Sequence, residues 1–437
     1  MRSQRKGCVA GAPVTQCATA DEWTVRRRRH GWFVFLAVLA TAGVVSASST
    51  ATAQPRDPFE EICSSWSAGY RAAPGPTYPE TDLADRCLRL NQTQVIGSHN
   101  SYHIQPREPL WSALRSFDPL LAAGIEYTHS PLGVQFDDEE VRQIELDVFA
   151  DPAGGLYDQR HVLPLVGLPT DSGIPELEQP GFKVLHIQEI DFESTCFTFV
   201  QCLQQVKVWS DTQPRHLPIA ILVELKDEPI PDPLQLGFVQ PQPIGPTELD
   251  ALDAEIRSVF PEQQMLTPDE VRGSHATLED AVLTDGWPTL GTARGNVMFL
   301  MDNGGHYRTD YLAGHPNLDG RILFTNADPG LPDAAFVKRN DPLGSNTAAI
   351  QDLVGRGYLV RTRADADTVQ ARTGDTTQRD AALLSGAQFV STDYPVPGRA
   401  APLGTDYVAQ IPGGDPARCN PINTGTHCRN DALERLR

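Results

Sequence analysis

Two carboxylates one residue apart open the chemical reading of this sequence. Glu145 and Asp147 lie in the run Gln143-Ile-Glu-Leu-Asp-Val148, and residues i and i+2 of a strand point to the same face. Two carboxylates on an inward face repel each other and lose their water, and a bound cation removes both penalties. Glu224 and Asn100 would complete an all-oxygen set, which suits a hard cation such as Ca²⁺ or Mg²⁺. The alternative places Glu145 and Asp147 in solvent on a strand edge. The alternation with Ile144, Leu146 and Val148 argues instead for a polar interior and an apolar exterior covered by helices. His99 and His186 form a candidate acid/base pair, because imidazole titrates near neutrality and can take and return one proton. A lone histidine is more often structural. Two at the ends of different strands beside a metal set read as chemical. His103, His129 and His161 rank lower, being farther from strand ends or in loops.

These residues need a frame. Eight apolar, β-rich runs read as strands: Gln94–Gly97, Gln143–Val148, Lys183–Ile187, Ile219–Leu225, Val297–Met301, Ile322–Thr325, Tyr358–Arg361 and Gln388–Ser391. Helical stretches fall between them. Thr247 reads as the cap of a segment with Leu249, Leu252, Ile256 and Val259 on one face, and glycines follow the segments Thr347–Gly355 and Thr376–Leu384, as helix stops do. Strands alternating with helices predict a parallel sheet closed as a TIM (β/α)₈ barrel, α/β in class, in one domain. An open doubly wound sheet is the alternative, but it calls for a Gly-rich loop after the first strand, and this sequence has none there. Active sites of such barrels sit at the carboxyl ends of the strands, where the candidate residues fall. Two insertions, residues 152–181 and the Pro-rich segment Asp227–Pro246, follow strands and belong to that same face.

The N-terminus carries an address. Arg26–Arg29 precede an apolar run from Trp32 to Val45 and a small-residue stretch ending Ala51-Thr52-Ala53. This is the layout of a secretory signal peptide over residues 1–53. Residues 1–24 fit it poorly and read as an upstream extension, with translation starting at Val25. The apolar run of about 14 residues is short of the roughly 20 a spanning helix needs; a membrane anchor is the competing interpretation. Removing 1–53 leaves 29 basic and 54 acidic residues, a charge of -25 against -20 for the whole chain. Such a surface excludes nucleic-acid binding as a reading and argues against general attraction to anionic membranes. The expected mature part is a catalytic domain over 54–437. Its six cysteines fall as three sequence-local pairs, Cys63–Cys87, Cys196–Cys202 and Cys419–Cys428. After export an even number suggests disulfides, with spacing favouring these pairs among the possible connectivities. No Cys/His cluster suggests zinc.

The stretch Val95–His103, with Glu145-Leu-Asp147, resembles the calcium-dependent phosphoinositide-specific phospholipase C family in its bacterial secreted branch. The resemblance continues through Gly181–His186, Asp191–Cys196, Ile219–Lys226 and Gly386–Tyr394, roughly residues 85 to 400. It implies a secreted enzyme that cleaves phosphatidylinositol to diacylglycerol and a cyclic inositol phosphate at a membrane or micelle surface, with Ca²⁺ as cofactor and no nucleic-acid or protein partner. His99 and His186 match the catalytic histidines, and Asn100, Glu145, Asp147 and Glu224 the calcium ligands. The family needs cations for headgroup phosphates; Lys226 is the first candidate, then Arg361 and Arg363, whose alternative is a salt bridge at the barrel rim. Tyr394 is a candidate to stack on the inositol ring. Glycerophosphodiester phosphodiesterases share the barrel, a metal and two histidines but begin with His-Arg where this chain has His99-Asn100. A non-catalytic inositol- or lipid-binding barrel is the third reading, opposed by the presence of all six positions.

Overall fold

The computed structural model describes Cys63, residues 80–426 and residues 428–434. The proposed signal peptide lies outside them. Among the described residues the sheet has ten strands: β1 (Thr93–Ser98), β2 (Gln143–Phe149), β3 (Lys183–Val184), β4 (Ile219–Leu225), β5 (Val297–Met301), β6 (Leu323–Phe324), β7 (Phe336–Lys338), β8 (Leu359–Arg363), β9 (Phe389–Thr392) and β10 (Ala417–Cys419). Eight run parallel in the order β6-β5-β4-β2-β1-β9-β8-β7. One parallel bridge, Asn326 to Phe336, joins the two ends. The result is the nearly closed parallel barrel expected of the alternating pattern.

The staves differ from the sequence expectation in one exchange. Lys183–Ile187 is not a stave: only Lys183 and Val184 are extended, and they pair antiparallel with Phe149 and Val148 at the carboxyl end of β2. The eighth stave is β7, three residues that pair Phe336–Lys338 with Leu359–Arg361. β10 lies antiparallel on Thr93–Val95 of β1, so β2 meets β1 only at Gly97. The polypeptide packs very closely at that contact. A Cβ on Gly97 would stand 3.0 Å from the Gln143 Cβ and nearer still to its amide.

Helices cover the outside. Phe199–Thr212 is capped by the Thr198 side chain, which accepts from Gln201 N–H at 3.1 Å, and it buries Phe199, Leu203, Val206 and Trp209. Pro246–Val259 buries Leu249, Leu252 and Ile256 as its periodicity predicted. Its cap is not Thr247, however. Pro246 takes the first turn, where its fixed φ and missing N–H cost nothing, and Glu248 accepts from Gly245 N–H at 3.0 Å. Ser345–Arg356 ends at Gly357, whose φ of 113° admits glycine most easily. The apolar side chains of β2, β4 and β5 are all nine-tenths or more buried. Disulfides join Cys63 to Cys87, Cys196 to Cys202 and Cys419 to Cys428. Among the described residues no helix is long and apolar enough to cross a membrane.

Candidate active site

The barrel register assembles an acidic corner. β2 and β4 align so that Asp147 sits opposite Glu224, and Glu145 lies two residues earlier on the same face. Oxygens of Glu145, Asp147 and Glu224 come within 4.8 Å of one another. Asn100 lies in the turn after β1. Ser101 latches that turn to β2: its N–H donates to Glu145 O at 2.9 Å, and its hydroxyl accepts from Glu145 N–H at 2.8 Å. Asn100 itself holds φ at 44°, a left-handed conformation that Asn tolerates better than most residues. Its Nδ2 donates to the Tyr127 hydroxyl at 3.3 Å, and its buried Oδ1 has no hydrogen-bond partner.

Basic side chains partly balance this corner. Arg361, from β8, pairs with Glu145, and Lys226 stands 3.3 Å from Asp147 and 3.4 Å from Glu224. Burial pushes the Glu145 carboxyl up to about 7 despite Arg361, and burial followed by the Glu224 charge holds Asp147 well above the usual carboxylate range. Burial also pushes Glu224 upward, but Lys226, Lys338 and the histidines outweigh it and leave Glu224 below its ordinary value. Neither oxygen of Asp147 has a hydrogen bond of good geometry. A calcium ion fits these residues: the donors are all oxygen, three are acidic, and the unpartnered Asn100 and Asp147 oxygens are the groups a hard cation would satisfy.

Two histidine–aspartate pairs flank the corner. His99 Nδ1 lies 2.9 Å from Asp393 Oδ1, and Arg363 Nη1 lies 3.2 Å from His99 Nε2. Burial, and then the Arg363 charge, lowers the His99 pKa well below that of free imidazole. His186 Nδ1 lies 2.7 Å from Asp191 Oδ2, and the same carboxylate takes His103 Nε2 at 2.8 Å. His186 does not end a barrel stave as the sequence suggested. It follows the short β3 on the crossover from β2 to β4, in a loop closed by His186 N–H and Ile187 N–H on Asp191 O. The antiparallel pairing of β3 aims that loop back over the barrel mouth.

The remaining sequence candidates divide. Lys226 borders a cleft of about 320 Å³ with His186 and Glu224. Arg361 is 1% exposed and committed to Glu145, so it lies beneath the cleft rather than in it. Arg363 holds Asp393 and His99 together. Tyr394 does not present its ring to a ligand. It is buried in an apolar cluster with Tyr127, Ala371, Ala400 and Tyr407, because the chain turns inward after Asp393. Asp191, Asp393 and Lys338 escaped the sequence reading of the site, and His103 was ranked low in it although it shares Asp191 with His186. Lys338 was missed because its strand was missed. The two aspartates had one signal: each lies a few residues from a strand end in a stretch already singled out.

Residues 88–421 match the model of the family described as phosphoinositide phospholipase C, Ca²⁺-dependent, and the chain belongs to that family. Its cofactor is accordingly Ca²⁺. Among solved structures the chain is similar to a calcium-dependent phosphoinositol-specific phospholipase C from Pseudomonas sp. (16% identity, 77% of this chain and 96% of that one, TM-score 0.44). It is also similar to the Ca²⁺-dependent phosphatidylinositol-specific enzyme of Streptomyces antibioticus (18% identity, 73% and 98%, TM-score 0.42). A glycerophosphoryl diester phosphodiesterase from Parabacteroides distasonis is a more distant likeness (10% identity, 78% and 90%, TM-score 0.27). No curated protein sequence matches the chain.

Proposed function

We propose that this protein is a secreted phospholipase C that cleaves phosphatidylinositol at a membrane or micelle surface, releasing diacylglycerol and a cyclic inositol phosphate. The observation that carries the reading is the convergence of Glu145, Asp147 and Glu224 within 4.8 Å beside two histidine–aspartate pairs at the mouth of a barrel of this family. Asn100, Glu145, Asp147 and Glu224 would hold calcium, which when bound supplies Lewis-acid polarisation of a phosphate oxygen and of the attacking hydroxyl. The chain's own groups do the rest. His99, kept without a proton by burial and Arg363, accepts the proton of the inositol 2-hydroxyl as that oxygen bonds to phosphorus. The phosphorus–glycerol oxygen bond breaks, and His186, paired with Asp191, donates a proton to the departing diacylglycerol oxygen. Lys226 faces the cleft and offers positive charge to the phosphate. Export by the N-terminal signal and the three disulfides together favour an extracellular site of action.

A phosphorus NMR time course with phosphatidylinositol, with calcium and with a chelator, tests the reaction. A cyclic inositol phosphate signal that appears only with calcium is expected. His99→Ala should lose nearly all turnover and keep its calcium affinity; a variant retaining more than about a tenth of the activity would remove His99 from the mechanism.

A further inference from the structure

Beside the catalytic cleft lies a groove of about 220 Å³ whose lining residues are all apolar, among them Leu114, Phe117, Leu165, Ile190, Leu234 and Phe238. Its walls come from the segments that follow β1, β2, β3 and β4, so it opens on the face that carries the catalytic side chains. The two hollows adjoin. Pro231 lines both the groove and the cleft of His186, Glu224 and Lys226, and Ile190 of the groove stands next to Asp191, which holds His186. The walls are built in place. Buried Glu189 accepts from His161 N–H at 2.7 Å and from Val239 N–H at 2.9 Å, tying the insertion after β2 to the Pro-rich segment after β4. Asp232 accepts from the N–H groups of Leu236, Gly237 and Phe238 and fixes the turn between.

The rim remains exposed. Phe117, Leu165 and Leu234 are 77%, 57% and 58% accessible and stand together on one groove, the kind of clustered apolar exposure that marks an interaction site. Charge does not recruit that occupant to an anionic surface, since the chain carries -20 overall. We propose that this groove takes the proximal part of an acyl chain of the lipid being cleaved, so that the enzyme selects substrates by chain as well as by headgroup. The inference rests on the phospholipase reading. An apolar groove continuous with a phosphodiester cleft fits a molecule that is anionic at one end and hydrocarbon at the other, and this requirement favours a lipid over a second protein.

The test uses the full chain with calcium and monomeric substrates: glycerophosphoinositol, then phosphatidylinositols with four-, six- and eight-carbon chains below their micellar concentrations. Wild-type kcat/KM should climb along the series, by at most about fourfold per methylene buried, and then level off. Ala113→Trp, at a half-buried groove position, should flatten the series. Val208→Trp, on the exposed side of the Phe199–Thr212 helix, should leave it as in the wild type. Calorimetry with dihexanoylglycerol gives a readout independent of turnover, with binding lost in Ala113→Trp. A flat wild-type series overturns the groove assignment and leaves the phospholipase reading standing. Binding of dihexanoylglycerol without any turnover does the reverse. A dimer that Ala113→Trp dissociates, with no diacylglycerol binding, would overturn the assignment in favour of a second copy of the chain.

Discussion

Asp191→Asn is the substitution that most directly tests how the second histidine is held. Asp191 is fully buried, and its carboxylate receives His186 at 2.7 Å and His103 at 2.8 Å. Burial alone pushes its pKa up, but the two imidazoles outweigh that and bring it down to about 2 from an ordinary 3.8. That depression is worth about 2.5 kcal/mol of stability at neutral pH. The sign follows from the direction. A carboxyl depressed in the folded state contributes fully above the unfolded value near 4 and loses its contribution as pH falls through about 2. Urea unfolding of both proteins at pH 7, 4 and 2.5 should therefore show a gap of about 2.5 kcal/mol that narrows at the acid end. An equal gap at all three pH values refutes the charge argument.

Activity gives a second, independent check. An amide in place of Asp191 can accept from one imidazole but turns its NH₂ towards the other, so His186 loses its fixed tautomer. The analogous change in serine proteases shows that geometry can survive while turnover collapses. We expect kcat to fall by about 10²–10⁴-fold, with calcium affinity within twofold of wild type, because Asp191 does not touch the acidic corner. A variant within tenfold of wild-type kcat would show that Asp191 is structural only.

Asp147→Asn removes one acidic donor whose only charged partner is the loosely held Lys226, 3.3 Å away; calcium affinity measured by calorimetry should weaken at least about tenfold. The stabilisation that calcium gives the wild type in a thermal melt, about 2.7 kcal/mol at one hundred times Kd, should shrink with it at the same calcium concentration. Lys226→Met should tighten calcium binding while lowering kcat/KM, since it removes a competing cation and a phosphate partner together; weaker calcium binding would contradict the first role. Replacing Cys63 and Cys87 by alanine opens a link spanning 24 residues, and equilibrium unfolding should record a loss of about 3.5 kcal/mol.

The residues legible in the sequence were those governed by short-range periodicity. Glu145 and Asp147 announce a shared face because a strand repeats every two residues, and the long staves β2, β4 and β5 carry enough apolar residues to declare themselves. β7 does not. Phe336–Lys338 is three residues long, too short for any period to show, and its place is fixed by pairing with β8 and by the bridge to Asn326. The run Lys183–Ile187 had the composition of a stave, but composition does not reveal direction, and tertiary pairing turned it antiparallel. Partners far apart in sequence were equally hidden. Nothing near His99 points to Asp393, 294 residues away, and nothing in Tyr394 says that the chain folds its ring into a core. Residue type and spacing nominated the candidate residues, while the orientation of each group came from long-range register.

That register also sets basic side chains against the three carboxylates, of which Glu145 and Asp147 are buried and Glu224 is part-exposed. Leaving one charge of such a cluster uncompensated is severely destabilising, and here Arg361 and Lys226 divide the task unequally. Arg361 is buried, pairs with Glu145 and donates to Ser391 Oγ at 3.2 Å and to Asn340 Oδ1. Both terminal nitrogens of its fork are thus committed, while its Nε has no partner. Lys226 has a quarter of its side chain exposed and holds Asp147 and Glu224 at 3.3 and 3.4 Å, looser contacts on a flexible stem. Of the two, Lys226 is the more easily moved from the carboxylates, and calcium held by Asn100, Glu145, Asp147 and Glu224 would supply their counter-charge in its place. The Lys226 ammonium borders the cleft that His186 also lines, where a phosphate needs a positive charge. One lysine can thus serve both the carboxylates and the substrate, which is why its loss should move calcium affinity and turnover in opposite directions.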